Sequence, residues 1–393
     1  MKMNIKNFLL ILLLLPFFMP AYFNYTDFQY LSKIYKLLAI GSFIISTILY
    51  IRNNKIDKII IFILIFEILT ILFTYINQNS IKDVIYSSIN IITPCMIADL
   101  YIKKDKKSFF FSISRIFEIL VYINFITILL FKDGMYTKTT LFETTNYNWF
   151  LGVENLHIIY TLPGILFSYI NSYINNDGKI KIETKIFIVI SILSILLRKS
   201  ATGILGISIL IIYFIFQKFI NRIKIFNILT YFYLSITLHI SIVIFRIQEI
   251  FNYLIVNILG KNLTLTNRTY IWDDTIYYIK NKLLIGYGVE STSTRYYKGI
   301  HFRAFHAHNQ FLEILYTGGI CLFAVFMYIM YISFKELIKF KEEKLVKLIS
   351  IIIFAFLIMM ISESYDLKMI FLILVCSYNI KYLFNNKMEV NKK

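Results

Sequence analysis

Residues 304–332 read AFHAHNQFLEILYTGGICLFAVFMYIMYI, and the apolar half of that stretch decides the fold. Two histidines, an asparagine and a glutamine stand in front of a run that stays apolar to Ile332. Runs of this kind, each about 20 residues and so long enough to cross a bilayer, recur along all 393 residues. The chain is 58% hydrophobic with a mean hydropathy of +0.68, whereas soluble domains are about 45–50% apolar. In lipid the backbone must satisfy its own hydrogen bonds, within helices or in a closed barrel. The runs are continuous rather than alternating, which argues against a barrel. The expected fold is therefore all-α and polytopic, a single integral membrane domain over residues 1–393. The N-terminal MKMNIKNFLLILLLLPFFMPAYF lacks a small-residue cleavage site and reads as a retained first helix.

Hydrophobicity places about twelve transmembrane helices at roughly 7–23, 35–51, 59–77, 84–102, 109–131, 157–175, 186–197, 204–220, 228–247, 309–332, 348–362 and 369–384. Charge then sorts the connections. RNNKIDK (52–58), KKDKK (103–107), KIKIETK (179–185), KFINRIK (218–224), KELIKFKEEKLVK (335–347) and the tail NNKMEVNKK fall on one side. Basic residues collect on the cytoplasmic side of membrane proteins, so both termini are expected there. Most of the net charge of +18 follows from this asymmetry rather than from nucleic-acid binding. The three cysteines, Cys95, Cys321 and Cys376, lie inside apolar runs without metal-ligand spacing and read as small core residues.

Two connections on the opposite side are long, at 132–156 and at 248–308, the latter between the ninth and tenth spans. Long loops in a compact protein are usually functional. Within the second, Ile271, Trp272, Thr275, Ile276, Ile279 and Leu283 recur at helical spacing and predict an amphipathic helix on the membrane surface or capping the bundle. Gly286 and Gly288 end it in a turn. The loop is rich in Lys261, Arg268, Lys280, Lys282, Arg295, Lys298 and Arg303, against the charge rule for that side. An external anion such as a diphosphate would suit arginines; lipid headgroups or salt bridges within the loop are the plainer explanation for any one lysine. Three of the chain's five histidines, His301, His306 and His308, fall within eight positions here. Inside the spans, Arg115 and Glu118 are set for an ion pair or a cavity wall, Glu67 is a lone carboxylate, and His239 reads as a hydrogen-bonded core residue.

These residues carry a family resemblance. NRxxxW (Asn267, Arg268, Trp272), then GYG (286–288), then HAHNQFLEILYTGG resembles the bacterial O-antigen polymerase and O-antigen ligase superfamily. Its hallmark is His followed by Asn, Ser or Gln, nine residues and Gly. Here His308-Asn309 is followed by residues 310–318 and Gly319. The family often has Gly, Thr or Tyr three positions later, where this chain has Leu322. RKSATG (198–203) resembles an earlier Ser-Arg element, with Ser200 in register but Ala201 where Arg is usual; Arg198 or Lys199 would supply that charge. GVENLH (152–157) resembles a further family segment.

The resemblance implies a bundle like the C-type integral-membrane glycosyltransferases. It implies metal-independent glycosyl transfer at the outer face of the bacterial cytoplasmic membrane, with no cofactor. The partners would be polyprenyl-diphosphate-linked (undecaprenyl-type) glycan donor and acceptor, the bilayer, and flippase and chain-length-regulating proteins. Such chemistry needs a base for the acceptor hydroxyl and positive charge for the departing diphosphate. His308 and Arg268 are the catalytic candidates. Arg303, Arg198, Lys199, His306 and Asn309 are the substrate-binding candidates, Asn309 also being placed to cap a helix. Polymerisation of repeat units into capsule or O-antigen is the first expectation. Ligation of finished glycan to an acceptor shares every motif, and a lipid-linked oligosaccharide flippase is the alternative from another class. Against the last, no internal repeat stands out, and the polar residues gather at one edge.

Overall fold

The computed structural model describes residues 4–25, 28–53, 55–139, 145–247, 267–298 and 305–384. Arg303 and His301, together with Lys261, fall outside the described residues. The helices are α1 (Ile5–Leu14), α2 (Tyr22–Tyr25), α3 (Gln29–Ile51), α4 (Lys58–Ile76), α5 (Lys82–Leu130), α6 (Glu154–Asn175) and α7 (Ile182–Arg198). They continue with α8 (Ala201–Arg222), α9 (Ile228–His239), α10 (Arg268–Asn281), α11 (Thr292–Tyr297), α12 (Gln310–Ile338), α13 (Lys344–Met359) and α14 (Leu367–Tyr378). The protein is a helical, multi-pass membrane protein. Among the described residues, five helices, α3, α4, α5, α8 and α12, are long and apolar enough to cross a bilayer.

Short polar side chains start the helices where the sequence supplies them. Asn4, Ser200, Asn227, Asn309 and Asp366 each accept a backbone N–H of the first turn, satisfying donors that lack an intrahelical partner. Element α5 contains a break at Asp105, whose φ of −153° is not helical. Asp105 accepts from the Ser108 backbone N–H at 3.1 Å and the Ser108 hydroxyl at 2.8 Å, so it caps the half that follows. The break falls inside KKDKK, between two of the expected spans.

One end of the bundle carries Lys103, Lys106 and Lys347. Lys103 pairs with Asp57 and, at 2.8 Å, with Asp99. Asp99 also accepts from the Tyr50 hydroxyl at 2.6 Å and the Asn379 amide at 2.8 Å. Lys347 donates to the carbonyls of Ile220, Asn221 and Ile223 and so caps the C-terminus of α8. These buried charges are all partnered, as a low-dielectric interior demands.

Several expectations are met and one is corrected. Arg115 and Glu118 form an ion pair at 2.6 Å, and the Ser168 hydroxyl donates to the same carboxylate at 2.8 Å. His239 is buried, its Nδ1 3.1 Å from the Ser235 carbonyl, with its ring stacked on Phe311 at 4.3 Å. Cys95 and Cys376 are buried, but Cys321 is exposed on α12. The loop at 132–156 is not wholly irregular: β1 (Tyr136–Thr139) and β2 (Thr145–Asn148) pair antiparallel, Tyr136 opposite Asn148. Threonine-rich alternation favours such pairing, and the Trp149 indole closes the loop by donating to the Phe131 carbonyl at 2.7 Å.

Candidate active site

At the end opposite the lysines, three segments far apart in sequence meet. The first is α10, the amphipathic helix. Ile271, Trp272, Thr275 and Ile279 are its buried face, whereas Leu283 is exposed. Trp272 is wholly buried and donates its indole N–H to the His308 carbonyl at 3.3 Å. The helix therefore caps the bundle. The second segment is the start of α12. Asn309 caps it through Leu312 N–H at 3.0 Å and donates its own amide to the Ile361 carbonyl at 2.9 Å. The third is the turn 360–366 between α13 and α14. It is tied to α12 by Gln310 N–H on the Met360 carbonyl at 3.0 Å and by Tyr365 N–H on the Gln310 side-chain oxygen at 2.7 Å.

The centre of this junction is Glu363, which is 7% exposed. Arg268 donates to its Oε2 at 2.9 Å, and His308 Nδ1 lies 3.1 Å from its Oε1. His306 Nε2 is 3.8 Å from the same Oε1, and its ring lies 4.1 Å from that of His308. Burial alone would raise the Glu363 carboxyl, but the His308 hydrogen bond and the Arg268 guanidinium outweigh it and hold it below the usual carboxylate range. His306 is pushed down to about 4 by burial and by neighbouring His308, so it is neutral at physiological pH. A carboxylate acceptor on Nδ1 fixes His308 as the Nδ1–H tautomer and leaves Nε2 as a proton acceptor. Lys199, Asn267 and His308 have left-handed φ values of 54°, 66° and 46°. Non-glycine residues seldom adopt these, and such positions gather at functional sites.

The two glycine motifs lock α10 to α12. At Gly319 (φ 60°, ψ −161°) the helix breaks, and residues 283–288 supply what the break leaves unpaired. Ile320 N–H donates to the Leu283 carbonyl at 2.9 Å and Cys321 N–H to that of Leu284 at 3.2 Å. Tyr287 and Gly288 N–H donate to the carbonyls of Tyr316 and Thr317, both at 2.8 Å. A Cβ on Gly319 would lie 2.3 Å from the Leu284 carbonyl carbon, and one on Gly286 2.4 Å from the Tyr316 oxygen. Gly319 thus admits a loop backbone. Gly319→Ala is expected to cost about 1–3 kcal/mol from the left-handed backbone, with the clash added. The unfolding midpoint of the purified protein measures it, and an unchanged midpoint would refute the lock.

Much of the loop's positive charge is spent internally. Arg295 is 5% exposed and clasps Glu313 through Nη2–Oε1 at 2.7 Å and Nη1–Oε2 at 3.0 Å. Burial opposes its charge, but Glu313 more than compensates. Lys298 pairs with Glu290, Arg246 with Asp273, and Lys282 donates to the Asn77 side chain at 2.6 Å. For these residues the plain reading of salt bridges and loop contacts holds. Arg268 differs: its Nη2 is on Glu363, and its Nε and Nη1 make no hydrogen bond among the described residues.

RKSATG forms the α7–α8 turn. Lys199 closes α7 in the left-handed conformation and Ser200 caps α8, its hydroxyl also 2.5 Å from the Asn155 side-chain oxygen. Arg198 stacks over Trp149 at 4.3 Å and donates to the Lys132 carbonyl at 3.0 Å. It is held by the 132–156 loop and not by Glu363. Among the described residues, then, the junction unites Arg268, His306, His308 and Asn309, while Arg198 and Lys199 stand apart from it.

Residues 186–327 match the family model described as O-antigen ligase. That stretch is similar to an O-antigen ligase domain. No curated protein matches the chain. The matched stretch runs from α7 into α12, so it contains RKSATG, Arg268, GYG, His308 and Gly319 but ends before Glu363.

Glu363 is the residue that sequence reasoning missed. It sits in SESYD (362–366), between the last two expected spans and so on the same side as His308. A carboxylate in a short connection on that side was the available signal. Glu363→Gln keeps the shape and removes the charge that orients His308. Misplacement of a catalytic group by about 1 Å costs on the order of 10²-fold. A loss of that size is expected in glycan transfer, measured as polymer formed by complemented cells at equal protein level, and wild-type output would remove Glu363 from the site.

Proposed function

We propose that this protein polymerises polyprenyl-diphosphate-linked oligosaccharide repeat units into capsular polysaccharide or O-antigen at the outer face of the cytoplasmic membrane. The observation that carries the reading is the convergence of Arg268 and His308 on the two oxygens of Glu363. His308 Nε2 takes the proton of the acceptor hydroxyl as its oxygen attacks the anomeric carbon of the donor. The bond from that carbon to the diphosphate breaks, and the electron pair leaves with the diphosphate. Arg268 offers Nε and Nη1 to the charge that develops there. Glu363 balances the imidazolium that forms. One displacement without a covalent intermediate inverts the anomeric centre.

The side follows from charge. The basic connections lie at the end opposite Glu363, and basic residues mark the cytoplasmic face. That supports a junction on the outer side, at the depth where a lipid carrier's phosphates meet water.

His306, His308 and Glu363 offer ligand atoms within 4.8 Å of one another, a grouping able to hold a cation. Arg268 already brings a positive charge to 2.9 Å from this carboxylate and would oppose a divalent ion, which favours metal-independent transfer. Deleting the gene and analysing the lipid-linked glycans tests the reading. Accumulated single repeats support polymerisation. Long lipid-linked chains would make it a ligase, and intermediates trapped on the inner face a flippase.

A further inference from the structure

A cavity of about 700 Å³ opens beside the junction, between α4, the 78–80 turn, the start of α5, residues 289–294, the first turns of α12 and residues 365–367. That volume is within the range of about 300–1,000 Å³ typical of small-molecule sites. Gln310 and Tyr365 form part of its wall, two residues after His308 and Glu363 on the same two segments. Five carboxylates line it, from Glu67, Asp83, Glu290, Glu313 and Asp366, among amides and hydroxyls, and its lining includes no Lys, Arg or His.

Three of these carboxylates are engaged by cations from outside the lining: Glu290 by Lys298, Glu313 by Arg295 and Asp366 by Lys368. Glu67 is different. It is 3% exposed, midway along α4, and its Oε2 accepts from the Ser88 hydroxyl at 2.8 Å. Its Oε1 is buried and has no hydrogen-bond partner among the described residues. A buried carboxylate oxygen without a donor carries an unrecovered desolvation penalty, which a ligand bringing N–H or O–H groups would recover.

We infer that this cavity receives the acceptor sugar of the transfer, and that it selects sugars rich in hydroxyl or ammonium donors and rejects those carrying a carboxylate. The inference rests on the glycan-transfer reading above. A diphosphate would meet five carboxylates here, so the donor's anionic part belongs at Arg268 and the acceptor in the cavity. A hydroxylated or amine-bearing ring supplies the donor that Glu67 Oε1 lacks and can also reach the exposed Asp83 carboxylate, whereas a uronic acid adds like charge. The adjoining wall then delivers the acceptor hydroxyl towards His308.

The test uses the full-length protein purified in detergent, with glucosamine, N-acetylglucosamine and glucuronate as probes and the thermal midpoint as the readout. The first two are expected to raise the midpoint saturably in the wild type and in Arg268→Ala, and glucuronate is not. Asp83→Asn and Glu67→Gln are each expected to weaken binding by about tenfold or more, the effect of losing a hydrogen bond to a charged group. An equal response to glucuronate, no saturable response to any probe, or unchanged binding in both variants would overturn the inference. The midpoint without sugar shows whether each variant is folded. Sugar binding in a wild-type protein that transfers no glycan would overturn the functional reading and leave the cavity assignment standing.

Discussion

His308→Ala is expected to lower glycan transfer by about 10²–10⁴-fold, the usual contribution of a positioned general base, while the protein remains folded in the membrane. The fold should tolerate the change. His308 is partly exposed, and the contacts that hold its segment are made by backbone and by neighbours: its carbonyl accepts from Trp272, and Asn309 caps α12. What is lost is Nε2, the proton acceptor left open when Nδ1 faces Glu363. His308→Gln should not rescue activity, because an amide is no base at neutral pH. Polymer formed per unit of protein in complemented cells measures the effect, and normal polymer from both variants would remove His308 from the chemistry.

Arg268→Ala is expected to cost about 10²–10³-fold, the scale seen when one preorganised donor to a developing negative charge is removed. Two effects add. The departing diphosphate loses its guanidinium, and Glu363 loses a partner at 2.9 Å while remaining 7% exposed. Arg268→Lys separates them. It keeps a positive charge near Glu363 but loses the planar, bidentate donor set, so it should restore stability more than transfer. Full transfer by the lysine variant would show that charge alone suffices there and that the bidentate role is wrong.

The membrane fold was legible because hydrophobicity and charge are one-dimensional signals. The capping helix α10 was legible for a similar reason: its stripe at Ile271, Trp272, Thr275 and Ile279 is the face that is buried. Leu283, one step further, lies past the helix end and is exposed. The KKDKK connection marked the Asp105 break in α5. The β-pairing at 136–148 was not legible, since two four-residue strands leave little pattern.

In the site, His308, Arg268 and Asn309 stood out as a motif, and the structure brings them to one place. Their partner did not stand out. Glu363 is 55 residues beyond His308 in chain order, and only the return of α13 brings it back. The glycine lock was half legible. Gly286, Gly288 and Gly319 each marked a special backbone, but that they mark the same contact depends on residues 283–288 folding back on α12. Arg295 shows the opposite failure: it looks like an anion-binding arginine in sequence, and burial against Glu313 makes it structural.

The central claim is that this chain joins glycan repeats with its own side chains and no metal. The measurement that tests it most directly is reconstitution. Purified wild-type protein in lipid vesicles is given the lipid-linked glycans that accumulate in cells lacking the gene, with and without EDTA, and product length is read on a gel. The account predicts a ladder of longer glycans, unchanged by the chelator and absent with the His308→Ala protein. A ladder that vanishes with EDTA and returns with a divalent ion, or one that persists in the His308→Ala protein, would contradict it.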